Sequence, residues 1–126
     1  MTLTTTPMLI LVAGPYRSGT NDDPVRIAAN RHAMDEAALQ VFRLGHVPVT
    51  GEALALPLIQ LAGSREIGDA VFNEIFHPIA ERLVTKCDAC LRIGGASQGA
   101  DHMVSLAQAH GRIIYRSLSE IPQVSR

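Results

Sequence analysis

The chain has few charged and aromatic residues and no tryptophan. Charged residues make up 18% of its 126 residues, the formal net charge is −1, and Lys86 is the only lysine. Proteins that bind a nucleic acid polymer usually present a basic face, so this composition predicts no such partner. The apolar run over residues 8–13 is too short to span a membrane and lacks a cleavage pattern. We therefore expect no membrane partner and a cytoplasmic location.

Cysteine is also scarce, because the chain contains only Cys87 and Cys90, which form a C-x-x-C pair. In a redox motif this spacing opens a helix, whereas here it lies between the end of a predicted helix and a predicted strand. A zinc site needs a second pair of ligands, and the sequence offers none. We interpret both cysteines as core residues and predict neither a metal nor a cofactor.

The remaining composition predicts one domain with a parallel sheet. Hydrophobic residues make up 47% of the chain, which is enough for a core. Residues 1–7 are polar and predict a flexible N-terminus, followed by a single domain over residues 8–126. Apolar segments bounded by turn residues predict four strands, over residues 8–13, 46–50, 88–93 and 112–115. Helical segments separate them, and this alternation is typical of an α/β fold.

The first helix has clear boundaries in the sequence. Asp23 is a suitable N-cap and Pro24 suits the first helical position. Gly45 can adopt the left-handed conformation that ends a helix. Between them, an apolar stripe that includes Phe42 is expected to face the core. Pro48 then predicts that the second strand lies towards a sheet edge, because proline lacks a backbone donor.

Prolines make the middle of the chain harder to interpret. Residues 51–63 are predicted either as a short helix broken by Pro57 or as a loop packed on the core. Residues 64–86 have helical periodicity, and Pro78 is expected to kink this helix or to split it in two. We expect a new helix to begin at residues 77–78.

Two glycine-rich loops follow the first and third predicted strands, over residues 14–20 and 94–101. In an open parallel sheet, ligands bind beyond the carboxyl ends of the strands, where the strand order reverses. The second loop leads into a helix over residues 98–110, whose free amides favour an anion. Neither loop is a dinucleotide or Walker A motif. The candidate ligand-binding residues are Gly14, Tyr16, Arg17, Ser18, Gly95, Ser97 and Gly99. The alternatives are a polar surface loop and a serine that only caps its helix.

Three carboxylates are candidates for catalysis. Glu52 follows the second strand, so it reaches the same sheet edge, where it would contact ribose hydroxyls or act as an acid or base. A solvated loop glutamate is the alternative. Glu81 lies one helical turn from His77 and shares its face, as in a histidine–carboxylate couple, but a third ligand for a metal is absent. Asp101 lies in the first turn of the last helix.

A series of motifs runs through the chain in a recognisable order. It comprises Gly14-Pro-Tyr-Arg17, Gly45-His-Val-Pro-Val-Thr50, Cys87-Asp88, Ser97-Gln-Gly-Ala100 and Ala107 to Gly111. The motifs are short, but together they span about residues 8–118. The series resembles the nucleoside 2-deoxyribosyltransferase superfamily, and most closely its small-domain branch DUF4406.

This resemblance implies a flavodoxin- or Rossmann-like three-layer sandwich with a four- to five-stranded parallel sheet. It also implies a homo-oligomer, a dimer or tetramer, often with sites completed by a partner subunit. Enzymes of the superfamily cleave or transfer at the N-glycosidic bond through a nucleophilic glutamate. In the monophosphate-cleaving branch, the serine at the position of Ser97 holds the phosphate, beside Gly99.

The chain departs from the family pattern at the catalytic pair. The position of the nucleophilic glutamate is Met103, and the aspartate that assists the leaving base would fall near Ala80. Three hypotheses follow. The first is an enzyme acting on a nucleoside or nucleotide with relocated carboxylates at Glu52, Glu81 or Asp101. The second is a non-catalytic module that binds or senses a nucleotide, and the third is a structural oligomer.

Overall fold

The computed structural model describes residues 3, 4 and 6–125. The elements run β1 (Leu3–Thr4), β2 (Leu9–Ala13), α1 (Pro24–Arg43), β3 (Val47–Val49), α2 (Gly51–Leu61), α3 (Ala70–Val84), β4 (Ala89–Arg92), α4 (Gln98–Ala109), β5 (Ile113–Tyr115) and β6 (Gln123–Val124). A 3-10 turn, Leu118–Glu120, precedes β6. Within the segment predicted to be flexible, β1 pairs with β6, and residues 1, 2 and 5 lie outside the described residues.

The main sheet has four parallel strands in the order β3-β2-β4-β5. The predicted α/β fold with a parallel sheet is therefore confirmed, and the arrangement is that of a Rossmann- or flavodoxin-like three-layer fold. Strand β3 contains Pro48 and pairs only with β2, as expected of an edge strand. Within the described residues, no helix is both long and apolar enough to span a bilayer.

The two faces of the sheet bury alternate residues of β2, as the pleat requires. Ile10 and Val12 pack towards α1 and the C-terminal segment. Leu11 and Ala13 pack towards α3 and α4, together with both cysteines. The helices α2 and α3 contribute a third, smaller apolar cluster. This layering leaves the carboxyl ends of the strands accessible between the helices.

Helix α1 begins and ends where the sequence predicts. The Asp23 side chain accepts a hydrogen bond from the amide of Val25, and Pro24 is the first helical residue. Gly45 follows the helix with a φ of +97°, a conformation that glycine adopts at little cost. The expectation that Phe42 faces the core is wrong, because its side chain is 64% exposed. The buried stripe instead passes through the adjacent Val41.

Neither proline breaks its helix, so the predicted break at Pro57 and the predicted new helix at Pro78 are both wrong. Helix α2 continues through Pro57, and α3 continues through Pro78. Each proline removes one backbone hydrogen bond, although both helices continue on either side of it. Packing of α2 against α3 compensates for this local loss. Residues 64–69, which we expected to be helical, form a loop before α3. Asp69 ends this loop as the N-cap of α3.

The strand order reverses between β2 and β4, because β3 lies on one side of β2 and β5 lies beyond β4. These two strands are paired from Ile10 and Ala89 to Ala13 and Arg92. The glycine-rich loops that follow them therefore leave the sheet side by side. The prediction that these two strands are neighbours is confirmed, and it places both loops at the reversal point.

Candidate functional site

A cavity of about 530 Å³ opens at the carboxyl ends of β2 and β4. Its wall is formed by the loop after β2, the first turns of α2 and α4, and one face of α3. It is lined by eight of the predicted site residues: Gly14, Tyr16, Arg17, Ser18, Glu52, Glu81, Ser97 and Gly99. This volume lies within the range of small-molecule sites.

Ser18 and Ser97 join the two predicted loops across the cavity. The Ser18 hydroxyl donates to the Ser97 Oγ at 3.2 Å. The same Ser97 Oγ caps α4 by accepting from the amide of Ala100 at 3.1 Å. Both acceptor positions of this hydroxyl are thus occupied. The Ser97 proton has no acceptor among the described residues, so it is available to a ligand.

Where the two loops leave β2 and β4, Gly14 and Gly94 are packed too closely for larger side chains. A Cβ on Gly14 would lie 3.0 Å from the Ile93 side chain and 3.1 Å from its carbonyl oxygen. Gly94 has a φ of +79°, and a Cβ there would lie 2.7 Å from the ring of Pro15. Because the loops contact each other at these points, their polar tips are held beside the same cavity.

Aromatic rings form one wall of the site. Tyr16 stacks on Phe76 with ring centroids 5.5 Å apart, and Phe76 stacks on Phe72 at 4.8 Å. Burial raises the pKa of Tyr16 above its usual value, so its hydroxyl is protonated at neutral pH. This wall offers an apolar surface with one phenolic donor, which suits a planar ligand.

The guanidinium of Arg17, a predicted ligand-binding residue, is paired with Asp22. Its Nε and a terminal nitrogen donate to the two carboxylate oxygens at 2.9 and 2.8 Å. It also lies 5.7 Å from the centre of the Phe72 ring. Asn21 and Asp22 have positive φ values of 51° and 55°, which is uncommon for residues other than glycine. The Arg17–Asp22 pair therefore shapes the loop beside the cavity.

Glu52 is the buried carboxyl of the site. It lies in the first turn of α2, after the N-cap Thr50, and is only 8% exposed. Burial raises its pKa, while a hydrogen bond from its own amide and the charge of Arg31 oppose the increase. No other side chain within the described part of the chain hydrogen-bonds to it. A carboxyl in such surroundings is suited to donate a proton.

Glu81 has a different environment, at the open side of the cavity. Its carboxylate lies 3.4 Å from Nε2 of His102, and both side chains are about half exposed. His77, one turn earlier on α3, also lines the cavity. The sequence interpretation missed His102, which also lines the cavity. Its neighbour Met103 was the available clue, because adjacent residues on a helix can both border a wide cleft.

Two predicted site residues do not line the cavity, namely Gly95 and Asp101. Arg92 holds both of them away from it. Its guanidinium donates to the Asp101 carboxylate at 3.0 Å and to the carbonyl of Gly95 at 2.8 Å, and also contacts the carbonyl of Ile93. Asp101 thus stabilises the loop that follows β4 by pairing with Arg92. The sequence analysis did not identify Arg92.

The resemblance drawn from the sequence would place a catalytic pair at Met103 and near Ala80. Both residues line the cavity. Met103 also packs in the core beneath α4. A thioether cannot attack an anomeric carbon and a methyl group cannot transfer a proton. Any acid or base chemistry in this cavity must use other side chains.

The two cysteines do not line the cavity. Cys87 and Cys90 are buried and are not disulfide-bonded. Burial raises the pKa of each thiol to about 11, which makes them poor nucleophiles. Among residues 3, 4 and 6–125, no group of three or more histidine, cysteine or acidic side chains is arranged to hold a metal ion.

Compared with protein-family models and with curated proteins, the chain has no match.

Proposed function

We propose that the cavity binds a nucleoside or nucleotide and that the chain cleaves or transfers at the N-glycosidic bond. The observation that supports this most directly is that one cavity contains both an anion-binding feature and two carboxyls. The N-terminus of α4, with the hydroxyl of Ser97, lies on one side, and Glu52 and Glu81 line the same cavity. A phosphorylated sugar carrying a base needs both features.

The start of α4 suits a phosphate group. The first amides of a helix lack partners within the helix and carry a partial positive charge. Ser97 adds a hydroxyl donor, and Gly99 leaves the surface open, because a Cβ there would meet nothing within 4 Å. The aromatic wall of Tyr16 and Phe76 would take the base.

The two carboxyls suit the chemistry of a glycosidic bond. Departure of a base requires a proton on its nitrogen, and the sugar develops positive charge at the anomeric carbon. A buried, protonated carboxyl can supply the proton, and an ionised carboxylate can stabilise the charge. Glu52 and Glu81 match these two roles in their surroundings.

A non-catalytic module that binds or senses a nucleotide is the second candidate. It is favoured by the apolar side chains of Met103 and Ala80, which line the cavity at or near the positions where the resemblance would place catalytic carboxylates. The same binding cavity would serve this function. The two candidates differ only in turnover, so a single set of assays separates them.

The test is to incubate the protein with deoxynucleosides and their 5′-monophosphates and to quantify released base by chromatography. Melting temperatures with the same compounds report binding, because a ligand of the native state stabilises it. Release of base supports the enzyme, and stabilisation without release supports the sensing module. If no nucleoside or nucleotide is cleaved or raises the melting temperature, the proposed function is wrong.

The proposal extends to assembly and location. Helix α2 presents Leu54, Leu58 and Leu61 to solvent, a stripe at helical spacing that a second copy would cover. A homo-oligomer, either a dimer or a tetramer, is therefore part of the proposal, and light scattering at micromolar concentration tests it. A cytoplasmic location suits a nucleotide substrate, because charged monophosphates do not cross membranes freely.

A further inference from the structure

The two carboxyls of the cavity differ in burial and in their side-chain partners. Glu52 is buried at the start of α2 and has no partner from another described side chain. Glu81 is half exposed on α3 and faces the imidazole of His102 on α4. Pairs of carboxyls in contrasting environments commonly divide the work of acid and base between them.

The side chain at the nucleophile position of the resembled family is the thioether of Met103, which borders the same cavity. A covalent sugar intermediate needs a carboxylate that reaches the anomeric carbon. The only acidic side chains that line the cavity among the described residues are Glu52, Glu81 and Asp22. Asp22 is held by Arg17, and Glu52 is buried away from solvent water. Glu81, beside an imidazole and open to solvent, is placed to act on water.

We infer that the chain is a hydrolase that breaks the N-glycosidic bond in a single displacement, with Glu52 as the acid and the Glu81–His102 pair as the base. This inference rests on the proposed function and specifies its mechanism. It assigns His102 a role that the sequence did not indicate. It also excludes a sugar–enzyme intermediate, and therefore transfer of the sugar to a second base.

The step is balanced with water as the co-reactant. The water oxygen forms a bond to the anomeric carbon while the bond from that carbon to the base nitrogen breaks. The electron pair of the broken bond goes to the base, which takes the proton of Glu52. The proton lost by water goes to Glu81 or to His102. The products are the free base and the sugar with an anomeric hydroxyl, and solvent returns the proton to Glu52.

The surroundings of Glu52 support its assignment as the acid. Burial raises the pKa of this carboxyl, and the negative charge of Asp35 on α1 raises it further. Arg31, also on α1, acts in the opposite direction. Tyr16 faces it from the loop after β2 and is itself protonated. A buried carboxyl beside an aromatic wall is positioned to meet the nitrogen of a stacked base.

The first experiment measures base exchange. The wild-type protein is incubated with a deoxynucleoside monophosphate and an excess of a second free base. We expect release of the first base and no new nucleotide, with an unmodified protein mass at steady state. A new nucleotide, or a protein carrying the mass of the sugar, would overturn the inference while the proposed function stands. Absence of any release would overturn this inference and the enzymatic function together, and a raised melting temperature with the same nucleotide would then support the binding module.

The second experiment separates the acid from the base through the leaving group. Glu52→Gln should lose about 100-fold in base release but retain hydrolysis of a 4-nitrophenyl deoxyriboside, whose leaving group needs no proton. Glu81→Gln and His102→Asn should lose both reactions. Glu74→Gln and His110→Asn, which alter exposed residues outside the cavity, are the matched controls. Equal losses of Glu52→Gln on both substrates would contradict its role as the acid.

Discussion

The hydroxyl of Ser18 donates to the hydroxyl of Ser97 at 3.2 Å, although the two residues are 79 positions apart. Each serine belongs to a loop that leaves the carboxyl end of a different strand. Their contact therefore depends on the pairing of β2 with β4. It takes up one acceptor position of the Ser97 hydroxyl, whose own proton has no acceptor among the described residues and is left for an anionic ligand.

Replacing Ser97 by alanine should weaken the binding of nucleoside monophosphates about tenfold or more, because a charge-assisted hydrogen bond is lost. It should also lower the free energy of unfolding by about 1 kcal/mol, since α4 loses its cap. Calorimetric titration and thermal melting measure the two effects.

Ser18→Ala and Ser105→Ala separate these contributions. Ser18→Ala removes the hydrogen bond between the loops and leaves the cap of α4. Ser105 is exposed on α4, so Ser105→Ala should change neither the affinity for the monophosphate nor the free energy of unfolding. If Ser97→Ala binds the monophosphate as tightly as the wild type, Ser97 does not contact the phosphate.

Gly14→Ala should destabilise the fold by about 1–3 kcal/mol, the usual cost of an overpacked position. The new methyl group would lie against Ile93, including its backbone oxygen, which cannot move aside as a flexible side chain would. Gly95→Ala is the matched control, because a Cβ there meets nothing within 4 Å and Gly95 does not line the cavity. Urea denaturation of both variants tests this. Equal stabilities would show that the two loops are not packed as described.

Glu52→Gln should raise the melting temperature at about pH 8 and lose this advantage at about pH 4. The folded pKa of Glu52 lies above its unfolded value. The contribution of Glu52 to folding stability is therefore complete below its pKa in the unfolded chain. It is lost as the pH rises through its pKa in the folded protein. The amide of glutamine does not ionise, so the variant does not lose stability as the pH rises. Melting curves across the pH range test the prediction, with Glu74→Gln as control. A pH-independent difference would contradict the assigned burial effect.

Cys87 and Cys90 should react with a thiol reagent at about pH 8 only as fast as the protein opens. Burial raises the pKa of both thiols to about 11, so about one thiol in a thousand is ionised at that pH. When the protein is denatured in urea, both cysteines should react rapidly with the reagent. Rapid modification of the native protein would refute their assignment to the core.

Local patterns in the sequence were sufficient for most of the elements. The apolar runs, the Asp23–Pro24 helix start and Gly45 predict strands, a cap and a helix end correctly, because each depends on neighbouring residues alone. The prolines misled the prediction. Pro78 looks like a helix break when only the local backbone is considered, and the packing of α2 on α3 outweighs that local cost.

By itself, the sequence determined the parallel α/β fold, the edge position of β3 and the two loops at the reversal point, since hydrophobic patterning and turn residues act over short ranges. Only the tertiary structure decided which polar side chains share the cavity. It brought His102 to Glu81, turned Asp101 towards Arg92 and paired Arg17 with Asp22. The direction and burial of a side chain depend on residues brought close by folding, and spacing along the chain does not encode them.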